Sequence, residues 1–261
     1  MKTIRASAFT ILLTACAIVI LGSALRSLTS CVGGETTPPP PPPGAIAPGQ
    51  AIGSASISGR VLLIGPSPPR EKLNITESGC HHAAGEEPVK ESVVVNSDGT
   101  LRNTIVHIKA GLGDRVFAPP EAAVIDQKGC VYLPHVSAVQ TNQLITFLNS
   151  DPTLHNIHAV AKVNSPFNVG MAIKGQKVTR FFSKPEIVRM KCDVHSWMLS
   201  YVGVFDNPFH AVTGDEGTFV LKGLPAGTYE LEAWHETYGT RSQPLTLADG
   251  ESKTLEFRFG E

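Results

Sequence analysis

Residues 191–199 read KCDVHSWML, and this stretch brings three soft donor groups together: the thiol of Cys192, the imidazole of His195 and the thioether of Met198. The spacing is Cys-x2-His-x2-Met. The segment EIVRMKC before it and the segment MLSYVGVF after it are short apolar runs typical of strands. The pattern therefore predicts a tight loop between two neighbouring strands, with all three donors on that loop.

The phase of the two strands predicts where the donors point. Successive side chains of a strand face opposite sides of the sheet, so every second residue shares a face. One apolar face before the loop ends at Cys192, and one after it begins at Met198; their members are Val188, Met190 and Cys192, then Met198, Val202 and Val204. Cys192 and Met198 are thus expected to point inward, on either side of His195.

A further imidazole is offered upstream by residues 149–160, NSDPTLHNIHAV, in which His155 is followed by Asn156. One thiolate, two imidazoles and a weak thioether form a ligand set that suits copper in both of its oxidation states. The thiolate provides covalent overlap for an electron, and the imidazoles are neutral donors that either state accepts. The sequence therefore predicts one copper site made from two segments.

The pair LHNIH and CDVHSWM resembles the blue copper proteins, the cupredoxins, and within them the amicyanin and plastocyanin branch. The resemblance covers about 80 residues and implies a Greek-key β-sandwich over residues 119–206. Carried over by position, it implies the copper ligands His155, Cys192, His195 and Met198. It also implies that Asn156 ties the two ligand loops together by hydrogen bonds.

Two other interpretations of these residues remain open. His158 lies three residues after His155, and together with Cys192 and His195 these two histidines would make a four-donor zinc site. Strand phase opposes zinc, because His155 and His158 would face opposite sides of one strand. In the second interpretation no metal is bound, Cys192 is a small buried hydrophobic residue and Met198 fills the core.

The C-terminal part has a different pattern, in which strands alternate with tight glycine turns. The string GLPAGTYEL at 223–231 resembles the carboxypeptidase regulatory-like domain, a small prealbumin-type, Ig-like β-sandwich, expected over residues 207–261. ISGRV and NTIVHI in the β segment 53–118 look like opening strands of the same family. Either residues 119–206 are inserted between the two halves of this sandwich, or two domains follow in series. Both arrangements are all-β.

The segment SVVVNSDGTLRNTIVHI at 92–108 carries a turn signal at Asp98-Gly99 between two apolar runs. This arrangement predicts a β-hairpin.

The overall composition limits the classes of function. The chain has 261 residues, of which 42% are hydrophobic, and a formal net charge of -1 without any block of basic residues. Phosphate binding needs clustered Lys and Arg, so nucleic acid is not expected as a partner.

The N-terminus predicts export. A basic start, MKTIR, precedes a continuous apolar run of 20 residues, so residues 1–31 are a signal peptide or an N-terminal transmembrane anchor. SLTSC resembles a bacterial lipoprotein box, with lipidation at Cys31 as the alternative to a transmembrane helix. The linker 32–52 holds Pro38 to Pro43 and favours polyproline II. Either anchor places the rest in the periplasm or on the cell surface.

Three cysteines follow the leader: Cys80, Cys130 and Cys192. In an oxidising compartment an odd number leaves one thiol unpaired unless it has another use. The simplest assignment pairs Cys80 with Cys130 and leaves Cys192 for the metal; in the alternative, one of the three is merely a buried thiol.

These observations predict an exported, anchored type 1 copper protein that transfers electrons and is not an enzyme in its own right. Its partner would be a redox protein such as a c-type cytochrome or a dehydrogenase. Trp197, beside the ligand loop, is either part of an exposed docking patch or a half-buried rim residue. The alternatives are a copper delivery or storage protein, and a binding protein whose C-terminal sandwich contacts glycans or a cell surface.

Overall fold

The computed structural model describes residues 37–80, 82 and 87–260. The predicted leader 1–31, with the lipidation site Cys31, lies outside these residues, as does the start of the linker. These described residues all belong to one compact unit. Among the described residues, no helix is long and apolar enough to cross a membrane.

The predicted all-β class is confirmed, because every regular element in the described part of the chain is a strand. In chain order the strands are β1 (Ala55–Leu63), β2 (Ile105–Ala110), β3 (Ala123–Lys128), β4 (Val131–Leu133), β5 (Val136–Gln140), β6 (Ile145–Asn149), β7 (His155–Val160), β8 (Phe167–Met171), β9 (Lys177–Arg180), β10 (Glu186–Lys191), β11 (Leu199–Phe205), β12 (His210–Val212), β13 (Thr218–Leu224), β14 (Gly227–His235), β15 (Gly239–Leu247) and β16 (Ser252–Phe259).

The first two strands pair with the last five, and we call this assembly the flanking sandwich. One of its sheets has the order β13-β1-β16 and the other β12-β2-β14-β15. β1 runs antiparallel to β13 and parallel to β16. The two sheets bury one hydrophobic core, in which Ile57 of β1 packs with Phe219, Leu231 and Phe257. The strand pairing thus has the interleaved arrangement rather than two domains in series.

The strands β3 to β11 form a second β-sandwich between the two halves of the first, which we call the inserted sandwich. Its sheets have the orders β5-β11-β10-β7-β8 and β4-β3-β6-β9. A separate core fills it, and Phe147, Ile157, Met190 and Val202 are fully buried there. β7 lies beside β10, which brings the segment of His155 next to the segment of Cys192.

Strand phase at the ligand loop is as predicted. Val188, Met190 and Cys192 are buried, whereas Arg189 is exposed and Lys191 is partly exposed. After the loop, Met198, Val202 and Val204 are buried in the same core. The apolar alternation therefore carries both donor side chains to the interior.

Two sequence-based expectations need correction. The turn predicted at Asp98-Gly99 forms, because Asn96 N–H donates to Thr100 O and Arg102 N–H donates to Val94 O around the bridge between Val95 and Leu101. The hairpin is shorter than expected, because the second apolar run lies in β2, which pairs with β12 and β14 instead. The linker 32–52 also ends earlier than predicted. Ile46 pairs with Phe117, and Ile46 packs against the core of the flanking sandwich.

The two sandwiches pack directly on each other. A small core between them consists of Ile105 from the flanking sandwich with Val136 and Phe205 from the inserted one. Gly203 allows this close approach, since a Cβ there would lie 2.7 Å from Ile105 Cδ1. A polar contact joins His135 Nε2 to Glu236, and both side chains are largely buried. The sandwiches are thus fixed in one arrangement by packing and by a buried pair.

His235 makes the fold sensitive to acid. It is fully buried in the flanking sandwich, its Nδ1 accepts from Thr237 N–H, and its Nε2 has no partner among the described residues. Burial lowers the pKa of His235 from 6.5 to about 4. Because the pKa is lower in the folded than in the unfolded state, the contribution of neutral His235 to the free energy of unfolding is fully present above about pH 6.5. That contribution is lost as the pH falls towards 4.

We therefore expect His235→Phe, which cannot titrate, to reduce the loss of stability between pH 7 and pH 5. Linkage over this window amounts to about 2 kcal/mol for one such histidine. Urea denaturation of the metal-free protein at both pH values measures the difference, and the other histidines contribute equally to wild type and variant. An identical loss in both proteins would contradict the assignment.

Candidate metal centre

Two loops at one end of the inserted sandwich bring the predicted ligands together. His155 is the first residue of β7, and Cys192 follows the last residue of β10. These strands are antiparallel neighbours with His158 opposite Lys191, so their ends with His155 and Cys192 adjoin. The loop of residues 192–198 then returns His195 and Met198 to the same end of the sheet.

The donor atoms converge in a buried cluster. His155 Nδ1 lies 3.0 Å from His195 Nδ1, and Cys192 Sγ lies 3.8 Å from His195 Nδ1. Ligand atoms of all three residues lie within 4.8 Å of one another. The exposed fractions are 0% for His155, 3% for Cys192 and 1% for His195. Such a buried set of two nitrogens and one sulfur is suited to hold one soft or borderline metal ion.

The backbone of Met198 closes the ligand loop. Cys192 N–H donates to Met198 O at 3.1 Å, and Met198 N–H donates to His195 O at 3.0 Å. The Met198 side chain is fully buried in the same core cluster as Cys192. The loop is therefore a compact turn whose two ends are bonded to each other.

Asn156 joins the two loops, as the resemblance implied. Asp193 N–H donates to Asn156 Oδ1 at 2.6 Å, and Asn156 Nδ2 donates to Asp193 Oδ2 at 3.1 Å. Tyr132 adds a second tie, because its hydroxyl lies 2.6 Å from Asn156 O and 3.0 Å from Lys191 O. These contacts hold the strand of His155 against the strand of Cys192.

Two carboxylates behind the histidines were missed from the sequence. His155 Nε2 lies 2.9 Å from Asp151 Oδ2, and His195 Nε2 lies 2.6 Å from Glu77 Oε2. Asp151 is four residues before His155 and follows a strand, so a search for a carboxylate near each ligand would have found it. Glu77 lies 118 residues before His195, and no local signal connects them.

The surroundings stabilise the charged forms of two ligands. Burial opposes the Cys192 thiolate, but hydrogen bonds from His155 and from backbone amides outweigh it and lower the pKa of Cys192 from 9.0 to about 7. Burial likewise opposes the imidazolium of His155, but the hydrogen bond to Asp151 and the neighbouring Cys192 raise the pKa of His155 to about 9. The site thus favours a thiolate, the form of cysteine that binds metals.

The remaining candidates occupy other positions. His158 is 29% exposed and its Nδ1 contacts Asp193, so the structure does not bring it into the cluster as a zinc ligand. Trp197 is half-buried, and its Nε1–H donates to Cys130 O at 2.9 Å. Cys80 and Cys130 form a disulfide, whereas Cys192 is a free, buried thiol. Two other groups of potential ligands among the described residues include these bonded cysteines.

The donor set fits copper. Two imidazole nitrogens and one thiolate in a buried site, with a methionine on the same loop, match the ligand preferences of copper. A four-donor cysteine and histidine set for zinc would need His158, which faces the other side of β7.

A comparison with protein-family models agrees with the resemblance predicted for the C-terminal part. The family model of the carboxypeptidase regulatory-like domain matches residues 203–260, which confirms that prediction and starts four residues before the expected boundary at 207. No curated protein matches the chain.

Solved structures that are similar to the chain include copper proteins. A Cu-containing nitrite reductase from Thermus scotoductus SA-01 is 18% identical, and the match covers 38% of this chain and 25% of the reductase chain with a TM-score of 0.32. A purple cupredoxin from Nitrosopumilus maritimus is 20% identical, with 31% and 98% covered and a TM-score of 0.28. An amicyanin variant in its Cu(I) form is 21% identical, with 38% and 97% covered and a TM-score of 0.30.

The tie between the loops can be tested with Asn156→Ala. This change leaves the Asp193 N–H without its partner, and we expect it to cost about 1–3 kcal/mol of unfolding free energy. Asn168→Ala is the matched control, because Asn168 is exposed and contacts the side chains of Asn156 and Asp193 but not the Asp193 N–H. Denaturant unfolding of the metal-free proteins compares them, and equal losses would argue against Asn156 as the joining residue.

Proposed function

We propose that this chain is a type 1 copper protein that carries electrons, with His155, Cys192, His195 and Met198 as its ligands. The observation that carries the proposal is the convergence of two Nδ1 atoms and the Cys192 sulfur in a site closed to solvent. Bound copper would supply one-electron transfer between its two oxidation states. Since the chain itself provides the whole ligand set, we propose an electron carrier rather than an enzyme.

The contacts around the site would keep the ligand geometry nearly unchanged when copper gains or loses an electron. The loop of residues 192–198 is closed by its own backbone hydrogen bonds, and Asn156 fastens it to the strand of His155. A ligand set held by packing and hydrogen bonds cannot rearrange freely, which favours fast exchange of electrons over binding of a substrate.

Exposed apolar residues at the metal end support a docking site for a redox partner. Leu154 and Val194 immediately precede His155 and His195 and are 46% and 47% exposed, and Ile173 is 70% exposed. Ile173 lies two residues after Met171, which pairs with His155. Apolar residues gathered next to a cofactor are typical of an interaction surface. We name these three residues the apolar rim.

We further propose that the partner is a redox protein outside the cytoplasm, such as a c-type cytochrome or a dehydrogenase. The predicted export and the anchor in residues 1–31 or at Cys31 support this location. The proline run Pro38 to Pro43 would hold the two sandwiches away from a membrane surface.

A copper titration tests the proposal. Addition of Cu(II) to the purified full chain is expected to produce an intense visible thiolate-to-copper band that reaches its maximum at one equivalent of copper. Cys192→Ala should abolish the band, because the thiolate is its origin. A wild-type chain that stays colourless and takes up one equivalent of zinc would overturn the copper assignment. A blue chain that gives its copper readily to a chelator would indicate delivery instead of electron transfer.

The docking role of the apolar rim can be tested with Val194→Glu. We expect electron self-exchange between oxidised and reduced copies to fall at least tenfold, since a repulsion of about 1.4 kcal/mol is sufficient for that factor. Val220→Glu is the matched control, because Val220 is 49% exposed on the flanking sandwich. Line broadening in NMR spectra of mixed samples gives the rates, and equal rates in both variants would remove the rim from the docking site.

A further inference from the structure

The two histidines of the metal site are each held from behind by a carboxylate. Nδ1 of each ring points towards the other ring and towards Cys192, whereas Nε2 points away onto Asp151 or Glu77. A carboxylate accepts hydrogen bonds, so each Nε2 carries the proton and donates it. The remaining lone pair of a neutral ring is then at Nδ1, where the metal would be bound.

The two carboxylates are held in different ways. Asp151 is buried, and its oxygens accept from Gly129 N–H and Cys130 N–H, both at 2.8 Å. Glu77 is 44% exposed and receives one more contact, from Thr153 Oγ1 at 3.2 Å. Asp151 thus belongs to the rigid interior of the inserted sandwich, while the position of Glu77 depends on the segment that carries it.

That segment is residues 71–80, which we call the strap; it lies in the connection between β1 and β2. One end is fixed by the bridge between Lys72 and Val89, and the other by the disulfide from Cys80 to Cys130. At Gly79 the strap passes so close that a Cβ would lie 2.6 Å from Thr153 Cβ. The flanking sandwich therefore extends a strap that supplies one group of a metal site lying in the inserted sandwich.

We propose that Glu77 is a positioning residue for the copper ligand His195, which fixes Nδ1 as the ligating nitrogen and favours Cu(II) over Cu(I). A negative charge behind the ring stabilises the more highly charged ion more strongly, because the Coulomb energy grows with the charge of the ion. The effect of Glu77 on copper rests on the proposed function, whereas its effect on the ring of His195 does not.

Glu77→Gln tests the effect on copper in the full chain. The amide keeps the size and one acceptor oxygen but removes the charge. We expect a higher reduction potential and an affinity for Cu(II) that is about 10–100-fold lower, with a smaller change for Cu(I). Glu121→Gln is the control, since Glu121 is an exposed glutamate just before β3. A potential equal to that of wild type would overturn the electrostatic role.

A second measurement is independent of copper. In spectra of the metal-free, ¹⁵N-labelled chain, Glu77→Ala is expected to speed exchange of the His195 Nε2–H with solvent at least tenfold, while the melting temperature stays close to that of wild type. Unchanged exchange would overturn the positioning role even in a blue protein. A wild-type chain that forms no blue site would overturn the proposed function, and the exchange experiment would still decide the role of Glu77.

Discussion

The contact between two imidazoles in a dry interior is the constraint on which the rest of the metal end depends. Two nitrogen atoms 3.0 Å apart cannot both be left without a partner in a site that water does not reach. A proton or a metal ion must lie between them, and the nearby thiolate of Cys192 favours a cation there. The carboxylates of Asp151 and Glu77 satisfy the outer nitrogens and so leave the inner ones to that cation.

The strand order of the five-stranded sheet makes the contact between His155 and His195 possible. β7 and β10 are neighbours in the middle of a five-stranded sheet, so the segments of His155 and Cys192 are held by backbone pairing on both sides. Asn156 then transfers this fixed spacing to the loop through its bonds with Asp193. Local side-chain chemistry and sheet topology therefore specify the same position for the ligands, as expected of a sequence that encodes a single arrangement.

Sequence reasoning reached the features that depend on neighbouring residues. The all-β class and the inward phase of Cys192 and Met198 follow from alternation and short apolar runs, and the tie through Asn156 was implied by the resemblance to cupredoxins. The turn at Asp98-Gly99 also formed, but the second apolar run of the expected hairpin pairs with β12 and β14, which lie more than 100 residues later. Whether the flanking sandwich is interleaved was left open for the same reason: the pairing of β1 with β16 joins residues almost 200 apart, and no local pattern records it.

Glu77 is the clearest case of a functional group beyond the reach of local patterns, and the interleaved topology explains why. A domain placed in series could lose its neighbour and keep its site, but here the chain that leaves β1 crosses the inserted sandwich before it returns to β2. Its strap is fixed there by the Cys80–Cys130 disulfide and reaches His195 with one carboxylate. The flanking sandwich is therefore more than an attachment to the inserted one, because part of the environment of the candidate metal site comes from its own connecting segment.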